Sequence, residues 1–467
     1  MGGERFRLIL GETPTALDQL EADSIHACVT DPPYHLTSIS KRFGKPGSAP
    51  VDPASGVFAR KAAGFMGQAW DGGDVAFRPE TWAGVLRVLK PGAHLVAFGG
   101  SRTFHRIACA IEDAGFEIRD TLMWIYGSGF PKSHNIAKAI DKANGDERPI
   151  HGERVANVGM QGGNFAAGDS SRGMIQLTSA ASAASAASAA WEGWGSALKP
   201  AYEPVILARK PLRGTIAATV LEHGTGALNI DACRLEGRER TEYGISGDEP
   251  SPQAQSCYGK FGRRGAFRVT RHGDREASAE RTYADGPGDF SMTPGPRDGD
   301  VLGRWPANVL HDDSEEVRMA FPVDGSGSAA RFFYQAKASR EDREDGLHEA
   351  EETMLHRVAP GGMENDPRWG PVKRRNSHPT VKNTNLMRWL CRLLCPKDGT
   401  ILDPFMGSGS TGKAAMLEGF QFVGVEMGPK YLEIARKRIE WAAREAIERA
   451  AEMAEHTGQP SLFKAAK

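Results

Sequence analysis

Residues 400–426 constrain the fold of this chain more tightly than any other stretch. Thr400-Ile401-Leu402-Asp403 has the composition of a buried strand and runs through Pro404-Phe405-Met406 into Gly407-Ser408-Gly409-Ser410-Thr411-Gly412. Lys413 to Glu418 has helix-forming composition, and Phe422-Val423-Gly424-Val425 is a second strand that ends at Glu426. Glycines spaced G-x-G-x-x-G between a strand and a helix, with an acidic residue after the next strand, form the nucleotide-binding βαβ fingerprint. The glycines let the backbone approach a ligand, and the carboxylate can hold a ribose diol. On its own the fingerprint is compatible with a nicotinamide nucleotide.

Asp31-Pro32-Pro33-Tyr34 narrows the chemistry. It follows the apolar run Ile25-His26-Ala27-Cys28-Val29-Thr30. Two prolines cannot donate to a sheet ladder, so the strand must end there. A carboxylate, two rigid carbonyls and an aromatic ring are thereby fixed at a strand's C-terminal end, where open α/β sheets bind ligands. Asp31 and the Pro32 carbonyl can accept the two N–H bonds of a planar amino group while Tyr34 stacks on its ring. In isolation, D-P-P-Y is equally compatible with a proline turn after any buried strand.

Taken with His378-Pro379-Thr380 and Lys382, these two motifs resemble those of the amino-methylating DNA methyltransferases, in the circular permutation that puts the D-P-P-Y half first. Trp124 to Lys132 and Lys199-Pro200-Ala201-Tyr202-Glu203-Pro204 look like prophage-type members. The likeness covers both ends of the chain well and the middle patchily. It implies an α/β, Rossmann-like S-adenosylmethionine-dependent methyltransferase sheet, circularly permuted, with a large inserted recognition region. The implied reaction moves a methyl group from S-adenosylmethionine to the N6 amine of an adenine flipped out of duplex DNA. D-P-P-Y leans to adenine, S-P-P-Y being the commoner cytosine-N4 form in the family.

The resemblance also implies roles. Asp31, Pro32, Pro33 and Tyr34 would orient the amine. Asp403, Phe405, Gly407, Ser408, Gly409, Ser410, Thr411 and Glu426 would bind the cofactor, with His378, Thr380 and Lys382 closing its methionine carboxylate pocket. Asn383 departs from the proline usual after H-P-T-x-K, which puts loop rigidity in doubt. Cytosine-N4 methylation, a methyltransferase acting on RNA or protein amides, and a nicotinamide-dependent oxidoreductase stay open as alternatives. The last has no use for D-P-P-Y, and protein-amide enzymes usually carry asparagine in place of Asp31.

At 467 residues the chain is long enough for two or three domains, and its formal net charge is −1. Any contact with double-stranded DNA must therefore come from a local basic surface. The candidates are Lys41 and Arg42 in the long loop after the tetrapeptide, Arg304 and Trp305, and the run Lys373, Arg374 and Arg375. Six cysteines are scattered without zinc-type pairing, so no metal site is expected. No apolar run approaches a membrane span and the N-terminus lacks an apolar signal segment, so a soluble cytoplasmic protein is expected. A homodimer and a restriction endonuclease partner are left open.

The expected organisation is a D-P-P-Y half over 1–140 and a low-complexity insertion over 141–200, with its Ala-Ala-Ser repeats read as a flexible spacer. Residues 201–211 are expected to return to the first half's sheet edge, pairing with Thr121 to Tyr126. A target-recognition region over 212–370 precedes the cofactor half over 371–445, and 446–467 hold a helix end and tail.

Overall fold

The apolar runs become the strands of one sheet. In the computed structural model, residues 5–34, 74–129, 133–146, 150–155, 174–178, 185–235, 304–324, 327–336, 341–355 and 372–457 are described. The strands are β1 (Phe6–Leu10), β2 (Ile25–Thr30), β3 (Leu89–Phe98), β4 (Glu117–Ile125), β5 (Tyr202–Arg209), β6 (Val309–His311), β7 (Tyr334–Gln335), β8 (Thr400–Asp403) and β9 (Gln421–Glu426). They form a nine-stranded sheet in the order β1-β9-β8-β2-β3-β5-β4-β6-β7. Within it β5 runs antiparallel to both β3 and β4, and the other pairs are parallel.

The principal helices are α1 (Thr13–Leu17), α2 (Pro79–Val88), α3 (Phe104–Asp113), α4 (Ile136–Asn144), α5 (Ile216–His223), α6 (Thr384–Leu394), α7 (Ser410–Leu417) and α8 (Pro429–Thr457). Leu17, Trp82, Val85, Ile107 and Ile111 bury α1, α2 and α3 in one core cluster. Leu386, Trp389, Leu390, Leu393 and Ile439 bury α6 and α8 in another. Parallel strands carry apolar side chains on both faces because helices cover both.

The end of the chain lies inside the sheet. β9 pairs with β1 from Phe422 opposite Phe6 to Glu426 opposite Leu10, and β8 pairs with β2 through Ile401 opposite Ala27 and Leu402 opposite Cys28. From β8 the chain proceeds to β9 on one side, and from β2 to β3 on the other. This reversal is the topological switch point, and the carboxyl ends of its two strands are the Gly-rich turn and the D-P-P-Y tetrapeptide.

Several expectations need correction. β5 pairs with β4 as expected, Thr121 lying opposite Ile206, but it sits between β3 and β4 and closes no edge. Residues 212–370 are not one separate recognition insert. Leu310 on β6 is buried beside Trp124, β7 extends the sheet further, and α5 packs near β3. Compact units divide at Glu236–Arg304 instead, and 236–303 lie outside the described residues. The expected insertion at 141–200 holds a hairpin of Ile150–Val155 with Met174–Thr178. Within its Ala-Ala-Ser run, Ala186–Ala189 forms a short helix capped by Ser185. The boundary placed at 445 falls inside α8, which is continuous to Thr457. Among the described residues, no helix is long and apolar enough to cross a membrane.

Candidate active site

The Gly-rich turn is held by groups that the strand ends supply. Asp403, at the end of β8, is buried, and its carboxylate accepts the Thr411 hydroxyl at 2.6 Å, the Thr30 hydroxyl at 2.7 Å and the Phe405 N–H at 3.1 Å. Burial pushes its pKa up to about 6 despite these donors. Gly407 and Gly409 have positive φ (56° and 78°), and Gly409 is the residue before α7. A Cβ on Gly407 would stand 2.8 Å from His378 Nε2, and one on Gly409 would stand 2.9 Å from the Ala435 Cβ. Both glycines are therefore required by close approach as well as by conformation.

Glu426 closes the turn from the end of β9. Its Oε2 accepts the Gly407 N–H at 2.9 Å and its Oε1 the Gly428 N–H at 2.7 Å. Burial raises its pKa to about 7. His378 donates from Nδ1 to the Thr380 carbonyl at 2.8 Å, which leaves Nε2 facing Gly407. Burial drops its pKa to about 4, so the ring is neutral near pH 7. Tyr431 of α8 packs edge-on against it, with ring centroids 4.7 Å apart.

The tetrapeptide end is a charged cluster. The Tyr34 hydroxyl donates to Asp31 Oδ1 at 2.7 Å. Lys382 Nζ lies 3.2 Å from the same oxygen, 3.1 Å from the Tyr34 oxygen and 2.6 Å from Glu203 Oε2. Burial raises the Asp31 pKa, while the Lys382 ammonium opposes that rise. Lys382 is thus joined to Asp31 and Tyr34 of the tetrapeptide, while it also lines the cavity at the Gly-rich turn that it was expected to close.

One cavity of about 290 Å³ connects the two ends. Its lining includes Asp31, Pro33, His378, Thr380, Lys382, Asp403, Phe405, Gly407, Ser408, Ser410, Thr411 and Glu426. Pro32 is buried beside it, and Gly409 turns the backbone behind it. Asn383 proves to be the N-cap of α6, accepting the Leu386 N–H at 3.0 Å. An extended residue with a short acceptor side chain starts that helix without proline.

The basic candidates are dispersed. Lys41 and Arg42 lie outside the described residues. Trp305 is half exposed, with the Arg234 guanidinium 5.1 Å over its ring, and Arg304 beside it in sequence is exposed. Lys373 and Arg374 belong to a strand paired with Thr353–Leu355. Arg375 turns inward, its guanidinium 3.6 Å from Glu344 and 3.4 Å from Glu352, so it is not part of a free basic run.

Sequence reasoning missed Glu203, Thr30, Tyr431 and Arg438. Arg438 is fully buried on α8 and donates to the Ser408 carbonyl at 2.5 Å and the Asp342 carbonyl at 2.9 Å. No local motif announces it, although a guanidinium on the apolar side of a helix beside Ile434, Ile439 and Ala442 is a signal in itself.

Residues 300–437 match the family model described as DNA methylase. Over those residues, which include most of the cofactor half of the chain, it is similar to the DNA methylases. It is 24% identical over 233 residues to the type II methyltransferase M.HindIII of Haemophilus influenzae, covering 46% of this chain and 61% of that enzyme. It is 28% identical over 99 residues to the DNA adenine methyltransferase YhdJ of Escherichia coli, covering 21% of this chain and 34% of that one. The chain thus spans less than two thirds of the length of either relative. Among solved structures, the cytosine-N4-specific PvuII DNA methyltransferase aligns over 96% of this chain and 94% of its own, at 11% identity and a TM-score of 0.38.

Proposed function

We propose that this methyltransferase-family chain transfers a methyl group from S-adenosylmethionine to the exocyclic amine of a base flipped out of double-stranded DNA, with adenine N6 as the target. The observation that carries this is the cavity shared by Asp31 of D-P-P-Y and the Gly407–Thr411 turn. The donor set fits the cofactor. Glu426 keeps acceptor capacity on both oxygens for a ribose diol, and the backbone at Gly407 and Gly409 is bare enough for close approach. His378, Thr380, Phe405 and Tyr431 would complete its walls.

When bound, S-adenosylmethionine supplies an electrophilic methyl group on a cationic sulfur. The amine is a poor nucleophile because its lone pair is delocalised into the ring. Hydrogen bonds to Asp31 and the Pro32 carbonyl favour a pyramidal nitrogen whose lone pair faces the cofactor side of the cavity. Catalysis is then orientation plus preorganised electrostatics. Methylation of the amine nitrogen requires it to shed one proton, and Asp31, hydrogen-bonded to that amine, would be the acceptor. The raised Asp31 pKa suits that role.

The adenine assignment rests on Asp31 at the head of the tetrapeptide. Methylation-sensitive sequencing of DNA from cells producing the chain tests base and sequence together. Modified cytosine with unmodified adenine would transfer the assignment to N4, and an unmodified genome would overturn it.

A further inference from the structure

Glu203 belongs to no motif of the cofactor turn or the tetrapeptide, yet its carboxylate faces both Lys382 and Tyr34. It stands on β5 opposite Trp124 of β4. Glu203 Oε2 is 2.6 Å from Lys382 Nζ and 3.5 Å from the Tyr34 hydroxyl. The ammonium also lies 4.4 Å over the Phe98 ring and remains 3.2 Å from Asp31 Oδ1. The other titratable groups acting on this cluster are Tyr126, at the end of β4, and Asp403, at the end of β8.

An ammonium is a donor without acceptor capacity, and so is the face that an amino group turns toward a carboxylate. Lys382 and the target amine therefore compete for Oδ1 of Asp31, which already receives the Tyr34 hydroxyl. An ammonium buried to this degree cannot be released without another anion. Glu203 supplies that anion at a shorter distance than Asp31 does.

We propose that Glu203 is a positioning residue for methyl transfer: it seats the Lys382 ammonium so that a target amino group can take Asp31 without stranding Lys382. This rests on the amino-methylation reading above. Glu203 makes and breaks no covalent bond. Two carboxylates around one ammonium also leave the cluster with a net negative charge, suited to N–H donors and to a cationic sulfur nearby. With Glu203 neutral, Asp31 would be the one carboxylate left on Lys382, and the ammonium would hold its Oδ1 against the amine.

Glu203→Gln in the full chain tests the proposal. Single-turnover methylation should slow by at least about tenfold, the order expected when a reacting group is displaced from its acceptor. S-adenosylmethionine affinity should stay within about twofold, since the change lies outside the cofactor turn. The acid limb of the rate profile should move to lower pH, because a negative neighbour that raises Asp31 is gone. Lys382→Met should move the limb the other way. A Glu203 that only fills space would leave the limb of Glu203→Gln in place.

Glu203→Gln with wild-type rate and an unmoved limb overturns the proposal. If Glu203→Gln loses cofactor binding, Glu203→Asp replaces it, with an intermediate rate and limb expected, and wild-type values for both would overturn the role. A wild-type chain that methylates no DNA overturns the activity instead. The ¹³C titration of the Asp31 carboxyl then decides Glu203 without turnover: its midpoint should fall in Glu203→Gln, and an unmoved midpoint refutes the role.

Discussion

Thr30, the last residue of β2, donates its hydroxyl to Asp403, the last residue of β8, at 2.7 Å across 373 residues of sequence. This bond ties the strand that ends in D-P-P-Y to the strand that enters the Gly-rich turn. Thr30→Val should lower stability by ~1.5–3 kcal/mol, the scale of a hydrogen bond lost from a charged group, because the Phe405 N–H stays on the same oxygen. The pH dependence has a defined sign. Asp403 sits at about 6 in the folded chain against an ordinary 3.8, so the folded state holds more protons between those values. Stability is therefore greatest below the ordinary value and declines as pH rises through about 6. Because Thr30 donates to the ionised carboxylate, the loss in Thr30→Val should be larger at pH 8 than at pH 5 by urea unfolding. Equal losses would show that the bond does not serve the charged form.

Asp31→Ala should leave the fold and S-adenosylmethionine binding intact and reduce methylation by at least about 10²-fold, the scale of a lost preorganised contact. Calorimetric cofactor binding beside a DNA methylation assay separates the two effects. Near-normal turnover would remove Asp31 from the reaction.

If Glu426 holds the ribose as proposed, cofactor affinity should depend on pH. Its carboxyl titrates at about 7, and a ribose diol donates best to the ionised form. Affinity should tighten as pH rises from 6 to 8. In Glu426→Gln it should be weaker at every pH and lack that slope, and a parallel slope in the variant would assign the titration elsewhere.

Gly407→Ala adds a methyl group at φ 56°, 2.8 Å from His378 Nε2. It should abolish measurable cofactor binding and cost ~1–3 kcal/mol of stability through backbone strain. His378→Ala in the same chain should restore part of the binding by removing the clash but not the strain. Calorimetry and thermal unfolding read the two effects separately.

Target choice should follow residues 236–303. Exchanging 212–370 whole would remove β6 and β7 from the sheet, so the exchange is confined to 236–303, between the described residues 235 and 304. Replacing 236–303 with the same span of a relative should change which sequence is methylated and leave the chemistry intact. An active chimera that marks the original sequence would place recognition elsewhere, the loop at 35–72 first.

Much of the fold is local and therefore legible. Asp403 to Gly412 and Asp31 to Tyr34 carry their conformation in glycine and proline, so strand ends and turns can be placed without knowing what they pack against. The stripe Leu386, Trp389, Leu390 and Leu393 announces a buried helix face by spacing alone, and all four side chains are buried. Short strands such as Val309–His311 and Tyr334–Gln335 give no such signal, because two or three residues define no period.

By itself, the amino-acid order determined the two ligand-facing motifs, the strand–turn–helix–strand unit around the Gly-rich turn and the family resemblance, since each rests on residue types within a few positions of one another. Only the tertiary structure decided that β5 lies within the sheet, that Lys382 turns to Asp31 and Glu203, and that Arg438 grips the Ser408 carbonyl. Those partners are separated by 179 residues for Lys382 and Glu203 and by 30 for Arg438 and Ser408. Their pairing follows from burial: a charge taken out of water must find its counter-charge or acceptor in whatever the fold brings near it, and no local pattern encodes what that will be.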